Sequence, residues 1–204
     1  MDMTLWNLFE ILGTGAFAAS GALTGIRKRF DFFGVLMLAL ITAVGGGILR
    51  DGLMGNLPPL ALRFPRYSLL ALVTAAAVFL SPRPVQRLER LIQVLDAVGL
   101  GAFTAGGGLL AIQRGFGEPF MVVAFGLLTG VGGGILRDIL AGEPPLVFRR
   151  EIYALASIAG ALLLLPLNRR LGVEAALYAC FALVVSLRLF CVLRGIHLPL
   201  ARKG

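Results

Sequence analysis

Two copies of one seven-residue string contain the residues of this sequence that are best placed to do chemistry. The string GGGILRD occupies residues 45–51 and recurs at residues 132–138. Three consecutive glycines are poor helix formers, since each costs about 1 kcal/mol relative to Ala in a helix interior. The Arg-Asp pair comes late in a long apolar stretch, where charged residues usually mark a pathway or a binding site. The repeated string therefore predicts a polar site inside an apolar protein.

The composition places this site in a membrane. Of the 204 residues, 58% are hydrophobic and 15% are charged, whereas about a quarter of the residues of a soluble domain are charged. A chain of this length can form about seven transmembrane helices. The net charge of +8 comes mainly from short basic clusters between apolar runs, and such clusters orient a protein in the membrane. We therefore expect membrane lipid, and no nucleic acid, as a partner.

Seven apolar runs predict an all-α integral membrane protein with seven transmembrane helices. We expect a single membrane domain, 1–204, in which segments 1–82 and 83–168 have three helices each and segment 169–204 has the seventh helix and a cytoplasmic tail. The glycine strings should break helices 2 and 5, because glycine disfavours the helix. The runs cover residues 5–25, 33–55, 67–80, 91–112, 119–141, 152–167 and 173–193.

The first two segments are copies of one unit. Residues 33–51 match residues 120–138 at 12 of 19 positions, and Glu10 of the first run aligns with Asp96 of the fourth. Because each unit has three spans, an odd number, the second unit must enter the membrane from the opposite face. The sequence therefore predicts an inverted 3+3 repeat plus one extra helix. Many transporters have this arrangement, with a site near the midplane.

The distribution of basic residues predicts the orientation. One face holds the N-terminus and three connections with 5 Lys and Arg residues, and the other face holds 11. The more basic face should be cytoplasmic. We expect a multi-pass protein of the cell inner (plasma) membrane with its N-terminus outside and its C-terminus in the cytoplasm.

The glycine segments predict an ion pathway. If they break the helices, the carbonyl groups that they free must be satisfied inside protein or beside water. They should then line a cavity, and the threonines one turn earlier should bond freed carbonyls or face a permeating ion. Close helix packing through small residues is the alternative. The predicted pathway residues are Thr42, Gly45, Gly46, Gly47, Arg50, Asp51, Thr129, Gly132, Gly133, Gly134, Arg137 and Asp138.

Two carboxylates lie at depths that match the two arginines of the strings. Glu10 and Arg50 are about 8–9 Å from the centres of their spans on one side, and Asp96 and Arg137 about as far on the other. Pairing would offset the desolvation of both partners. We therefore predict the supporting pairs Arg50–Glu10 and Arg137–Asp96. The aspartate after each arginine points about 100° away on a helix, which should leave it freer to attract cations or to cap a neighbouring helix.

Other chemistry is not indicated. Cys180 and Cys191 lie in the last apolar run without metal-ligand spacing around them, and His197 is the one histidine of the sequence. No Ser/His/Asp set or carboxylate pair suggests catalysis. We expect neither an enzyme nor a cofactor or metal site.

The twice-repeated GGGxxRD, the predicted three-plus-three-plus-one spans and the length resemble the trimeric intracellular cation (TRIC) channel family, prokaryotic branch. The resemblance covers nearly the whole chain. It implies a homotrimer with a pore in each subunit, kinked second and fifth helices around that pore, and conduction of monovalent cations, K⁺ or Na⁺ and chiefly K⁺. It also places the repeated glycines, arginines and aspartates in the pore region. The Lys-Glu-Val segment with which animal members bind a phosphoinositide has no counterpart here.

Two other functions fit the same residues. A secondary transporter for a small zwitterion such as glycine is the main alternative, because the ends of broken helices can hold either an ion or a substrate carboxylate. A structural membrane protein whose glycines serve only assembly is the third. Single-channel currents would favour the channel, saturable counter-flow uptake the carrier, and intact oligomers with neither activity the structural protein.

Overall fold

The computed structural model of the chain describes residues 3–81, 88–149 and 152–195. Within these ranges the secondary structure is entirely helical. The helices are α1 (Met3–Arg27), α2 (Phe32–Leu53), α3 (Leu60–Arg63), α4 (Pro65–Leu80), α5 (Leu88–Gln113), α6 (Pro119–Leu140), α7 (Leu146–Arg149), α8 (Ile152–Leu171) and α9 (Val173–Arg194).

Six of these helices are long and apolar enough to cross a membrane. They are α1, α2, α5, α6, α8 and α9, and α4 is a shorter apolar helix of 16 residues. The prediction of an all-α membrane protein is therefore confirmed, with the third predicted span as the short one. The helix ends fall close to the predicted limits, except that α8 continues through Pro166 to Leu171.

Two one-turn helices were not predicted. α3 and α7 occupy equivalent positions after α2 and α6, and each follows a Pro-Pro pair. Proline suits the start of a helix, since its fixed φ is helical and the N–H that it lacks would have no partner there. The sequence signal was therefore present in Pro58-Pro59 and Pro144-Pro145.

The centre of the bundle is α5. Residues 99–111 of this helix are all buried, because α5 packs against α1, α6, α8 and α9. One apolar core surrounds it on the side of α6, α8 and α9, and a second lies among α1, α2, α4 and α5. A helix that is apolar on every side is typical of the interior of a bundle.

Contacts at the ends of α1 define two faces of the bundle. Near its start, Asn7 Oδ1 accepts a hydrogen bond of 2.9 Å from Arg66, so we name this the Arg66 face. At its other end, Arg27 donates to Glu143 at 2.7 Å, which defines the Arg27 face. α2 ends beside Glu10 near the start of α1, whereas α6 ends beside Ser20 in its second half. The helices α2 and α6 therefore run in opposite directions.

The glycine strings do not break these helices. α2 and α6 are each a continuous α-helix through their three glycines, so the predicted breaks are wrong. A Cβ on Gly46 would lie 2.5 Å from the carbonyl oxygen of Thr129, and one on Gly133 would clash with the carbonyl oxygen of Thr42 and the ring of Phe17. The glycines therefore allow the backbones of α2 and α6 to touch, and this packing stabilises helices that glycine alone would weaken.

Candidate functional site

A buried cluster forms around Arg50 where α2 approaches the Arg66 face. The Arg50 side chain is 2% exposed, and its Nε and Nη2 lie 3.0 and 2.9 Å from Asp51 Oδ1. Its Nη1 lies 3.7 Å from Glu10 Oε1 on α1. The predicted Arg50–Glu10 pair is therefore confirmed. We call Arg50, Asp51 and Glu10 the Arg50 cluster.

A tighter cluster forms around Arg137 towards the Arg27 face. Arg137 Nε donates to Asp138 Oδ1 at 2.8 Å, and its Nη1 donates to Asp96 Oδ1 and to the hydroxyl of Ser20. Asp96 is fully buried and also accepts from Ser20 at 3.2 Å. The predicted Arg137–Asp96 pair is confirmed, and Ser20 was missed because nothing in its own span marks it. We call Arg137, Asp138 and Asp96 the Arg137 cluster.

The aspartate of each string has two roles. Its Oδ1 pairs with the preceding arginine, so the prediction that the 100° offset makes Asp51 and Asp138 imperfect partners is wrong: the long arginine side chain bridges the angle between neighbouring positions. Its Oδ2 accepts the backbone N–H that begins the next short helix, at 2.7 Å for Leu60 and 2.8 Å for Leu146. The predicted capping is therefore confirmed, and it fixes α3 and α7 to the clusters.

The two threonines bond to their own helices. Thr42 Oγ1 donates to the carbonyl of Leu38, and Thr129 Oγ1 to that of Phe125, both at 2.6 Å. These are the i−4 carbonyls that helical threonines usually reach. The predicted bonds to freed carbonyls are therefore wrong, since the intact helices free none. Both side chains are buried.

A cavity leads from the Arg27 face to the Arg137 cluster. Its volume is about 410 Å³, whereas the cavity beside the Arg50 cluster has about 20 Å³, roughly the space of one water. The Arg137 cluster is therefore more accessible from the protein surface than the Arg50 cluster. The larger cavity is lined by Thr24, Arg27, Glu89, Ile92, Gln93, Arg137, Asp138, Glu143, Pro144 and Leu146.

Glu143 closes one side of the mouth of this cavity. Its carboxylate pairs with Arg27 at 2.7 Å and with Lys28 at 2.8 Å, which ties the loop after α6 to the end of α1. Partial burial alone would raise the pKa of the Glu143 carboxyl. The hydrogen bond from Lys28 and the charge of Arg27 outweigh this effect and hold that pKa below its usual value.

This shift predicts a pH-dependent contribution to stability. Because the folded-state pKa of Glu143 is lowered, its pairing should stabilise the protein above the ordinary carboxyl pKa and be lost as the pH falls through the lowered value. Partly exposed pairs contribute at most about 1 kcal/mol. Glu143→Gln should therefore lower the unfolding temperature at neutral pH and leave it unchanged in strong acid, with Glu118→Gln at the exposed start of α6 as the control. An equal deficit at every pH would contradict this.

Sequence reasoning also missed two tyrosines and a buried arginine. Tyr67 and Tyr153 occupy equivalent positions in α4 and α8 and are 3% and 2% exposed. Arg188 on α9 is 2% exposed and lies over the Tyr153 ring at 4.9 Å. The available signal was Arg188 itself, the one charged residue between positions 175 and 193.

Apolar helices that enclose two arginine–carboxylate clusters define an integral membrane protein with a polar interior. A sequence model of the family described as "Glycine transporter" matches residues 7–83 and again residues 93–169. A UPF0126 membrane protein of Deinococcus radiodurans is 49% identical over 154 residues, which cover 74% of this chain and 71% of that protein. The chain belongs to this family of membrane proteins.

Two solved structures extend the comparison to the whole chain. The TRIC trimeric intracellular cation channel orthologue from Rhodobacter sphaeroides is 35% identical, with a TM-score of 0.88 over 95% of this chain and 100% of that one. A prokaryotic TRIC channel crystallised in 0.5 M KCl is 34% identical, with a TM-score of 0.91 over 97% of this chain and 100% of that one. The resemblance to the prokaryotic TRIC channels is therefore confirmed.

Proposed function

We propose that the protein is a passive monovalent cation channel, for K⁺ or Na⁺ and chiefly K⁺, with a separate pore in each subunit of a homotrimer. The observation that carries this proposal is the charge of the two clusters. Each contains two carboxylates and one arginine, so each arginine is neutralised and one negative charge remains. Such a site attracts cations and repels anions.

The proposed path runs along α2 and α6. From the Arg27 face it follows the 410 Å³ cavity to the Arg137 cluster, passes the glycine contact, and reaches the Arg50 cluster near the Arg66 face. At the contact, Gly46 approaches the Thr129 carbonyl and Gly133 approaches the Thr42 carbonyl. Backbones this close leave no room for an ion, so conduction requires α2 and α6 to separate here.

We infer that the two halves are related as an inverted repeat. Three observations support this: the opposite directions of α2 and α6, the reciprocal glycine contacts between them, and the match of one family model to each half. The predicted pathway residues then form two equivalent sets. We place the Arg27 face in the cytoplasm because its loops are the more basic, and cysteine labelling from either side of the membrane tests this orientation.

The test is an electrical recording. Purified protein in a planar bilayer should give single-channel steps, and a tenfold KCl gradient should give a reversal potential near 59 mV, the limit for perfect cation selectivity. Replacing K⁺ with Na⁺ on one side measures the preference between the two. A reversal potential near zero would contradict cation selectivity, and crosslinking that stops at dimers would contradict the trimer.

Glu10→Gln should reduce the single-channel current because it exposes the charge of Arg50. The reduction should be partial, since Asp51 still holds the arginine at 2.9 Å and the pair that is lost is the more distant one, at 3.7 Å. Adding Arg50→Gln should recover part of the current by removing the exposed charge. A double variant that conducts no better than Glu10→Gln alone would show that Arg50 does not face the ions.

A secondary transporter for a small zwitterion such as glycine is the second candidate. Two observations favour it: the description of the matching family, and a cavity that combines the Arg137 guanidinium with the carboxylates of Asp138 and Glu89. These groups complement the two charges of an amino acid. Saturable counter-flow of labelled glycine into proteoliposomes, without single-channel steps, would establish the carrier and exclude the channel.

A further inference from the structure

We propose that Arg188 is a positioning residue that sets the charge of the Arg137 cluster through Tyr153. The proposal rests on the channel function and assigns a role to α9, which lies outside the two repeated units. Arg188 is buried in the second half of α9, in an otherwise apolar stretch. Such a residue is costly in a membrane and usually has a functional reason.

The position of Arg188 is fixed by close packing of α9. Gly160 of α8 meets Val184 and Cys180, and Gly101 of α5 meets Val185 and Phe181, with no space for a side chain at either glycine. α9 is thus held against the helix that carries Tyr153 and against the helix that carries Asp96. The guanidinium of Arg188 lies 4.9 Å from the centre of the Tyr153 ring, within the range of a cation–π interaction.

Tyr153 connects Arg188 to the cluster. Its hydroxyl, Asp96 Oδ2 and Arg137 Nη2 converge on Gly134, where a Cβ would lie 3.0, 3.7 and 3.8 Å from them. The tyrosine therefore has the cluster at its hydroxyl end and Arg188 against its ring. A charge on Arg188 acts on Asp96 across a buried ring, where screening by water is weak.

The first half of the protein also has an arginine beside the equivalent tyrosine, but in a different environment. Tyr67, the equivalent of Tyr153, borders the cavity of the Arg50 cluster together with Glu10. The guanidinium of Arg66 lies 4.8 Å from the centre of the Tyr67 ring and donates to the Tyr67 hydroxyl at 3.0 Å, but Arg66 is exposed to solvent. The position equivalent to Arg66 in the second half is Ile152. In the second half the arginine beside the tyrosine therefore comes from α9, and unlike Arg66 it is buried.

The burial of Arg188 explains why its charge matters for ions. The Arg137 cluster has one more carboxylate than arginine, and Arg188 over the Tyr153 ring adds a positive charge outside the cluster that reduces this excess without cancelling it at the site. A pore must attract a cation strongly enough to admit it and weakly enough to release it. Arg188 weakens the attraction at the Arg137 cluster, so cations leave that cluster faster than they would from uncompensated carboxylates.

The test compares Arg188→Gln with wild type in a planar bilayer while Mg²⁺ is added to the Arg27 face. A unit charge acting over roughly 12 Å at an effective dielectric near 20 changes the affinity for a monovalent cation about tenfold and for a divalent cation about a hundredfold. Arg188→Gln should therefore be blocked by roughly a hundredfold less Mg²⁺. Arg188→Lys should stay close to wild type, as should Arg194→Gln, an exposed arginine of the same helix. Unchanged block in Arg188→Gln would overturn the proposal.

A second measurement separates this proposal from the channel function. The thermal stability of Arg188→Gln, Asp96→Asn and the double variant can be compared in detergent without any current. Because the double variant removes one charge of each sign, it should be more stable than the sum of the single losses predicts. Additive losses would overturn the role of Arg188 even if the wild type conducts. If the wild type carries no current but the stability losses of the two single variants are not additive, the proposed channel function is wrong and the charge coupling between Arg188 and Asp96 still holds.

Discussion

Asp96→Asn should cause a larger loss of stability than removal of any other carboxylate of the two clusters. Asp96 is fully buried, and its Oδ1 accepts hydrogen bonds from Arg137 and Ser20. Removing its charge leaves Arg137 with Asp138 as its remaining charged partner in the cluster. Removing the charge from the acceptor of a buried hydrogen bond of this kind costs about 1.5–3 kcal/mol. The variant should unfold at a lower temperature in detergent, and the protein that survives should carry little cation current.

Two matched variants make this expectation specific. Asp96→Glu keeps the charge, and glutamate already occupies the equivalent position at Glu10, so it should retain most of the stability. Glu10→Gln removes the same kind of charge from a pair with a separation of 3.7 Å and should cost clearly less. Equal losses for Asp96→Asn and Glu10→Gln would show that the closer pairing of Asp96 has no energetic consequence.

Gly133→Ala should be the most damaging of the conservative glycine substitutions. The Cβ of the new alanine would press against the carbonyl oxygen of Thr42 and the ring of Phe17. The backbone of α2 at Thr42 cannot move away without separating α2 from α6. Overpacking of this kind costs about 1–3 kcal/mol. Since the same contact closes the proposed path, surviving channels should also spend more time open. Gly46→Ala should act in the same direction, because its Cβ would meet the Thr129 carbonyl at 2.5 Å.

Gly52→Ala provides the control within α2. A Cβ at Gly52 meets no atom within 4 Å, and alanine is the better helix former. This variant should therefore match or exceed the wild type in unfolding temperature and should not alter gating. A loss of stability at Gly52 as large as that at Gly133 would mean that helix flexibility, rather than the contact between α2 and α6, explains the glycines.

The fold and the charge pairs could be predicted from the sequence, because they depend on the lengths of the apolar runs and on the depth of each charged residue in the membrane. Run lengths determine where helices cross the membrane, and the distance of a residue from the centre of its span determines which charges can meet. Glu10 with Arg50 and Asp96 with Arg137 followed from this reasoning, and the structure brings both pairs together. The capping role of Asp51 and Asp138 followed as well.

The remaining features depend on packing between helices, which the pattern along one helix does not reveal. Helix propensity alone predicts breaks at the glycine triplets, but packing against the opposing backbone offsets the free-energy cost of glycine in the helix. Arg50 and Arg137 reach the aspartates next to them because a long side chain can fold back along its helix. Ser20, Tyr153 and Arg188 come from three helices distant in sequence and share one site only after folding.

The distribution of the charges between the halves has a consequence for biogenesis. Glu10, Arg50 and Asp51 all belong to the first three membrane helices, so they can pair as soon as α1, α2 and α4 have left the ribosome and entered the bilayer. The second half carries its carboxylates and Arg137 into the membrane in the same way, but Arg188 comes with α9. A nascent chain that stops before α9 would therefore hold the excess carboxylate of the Arg137 cluster in the membrane without Arg188, and insertion of the last helix adds this positive charge beside Tyr153.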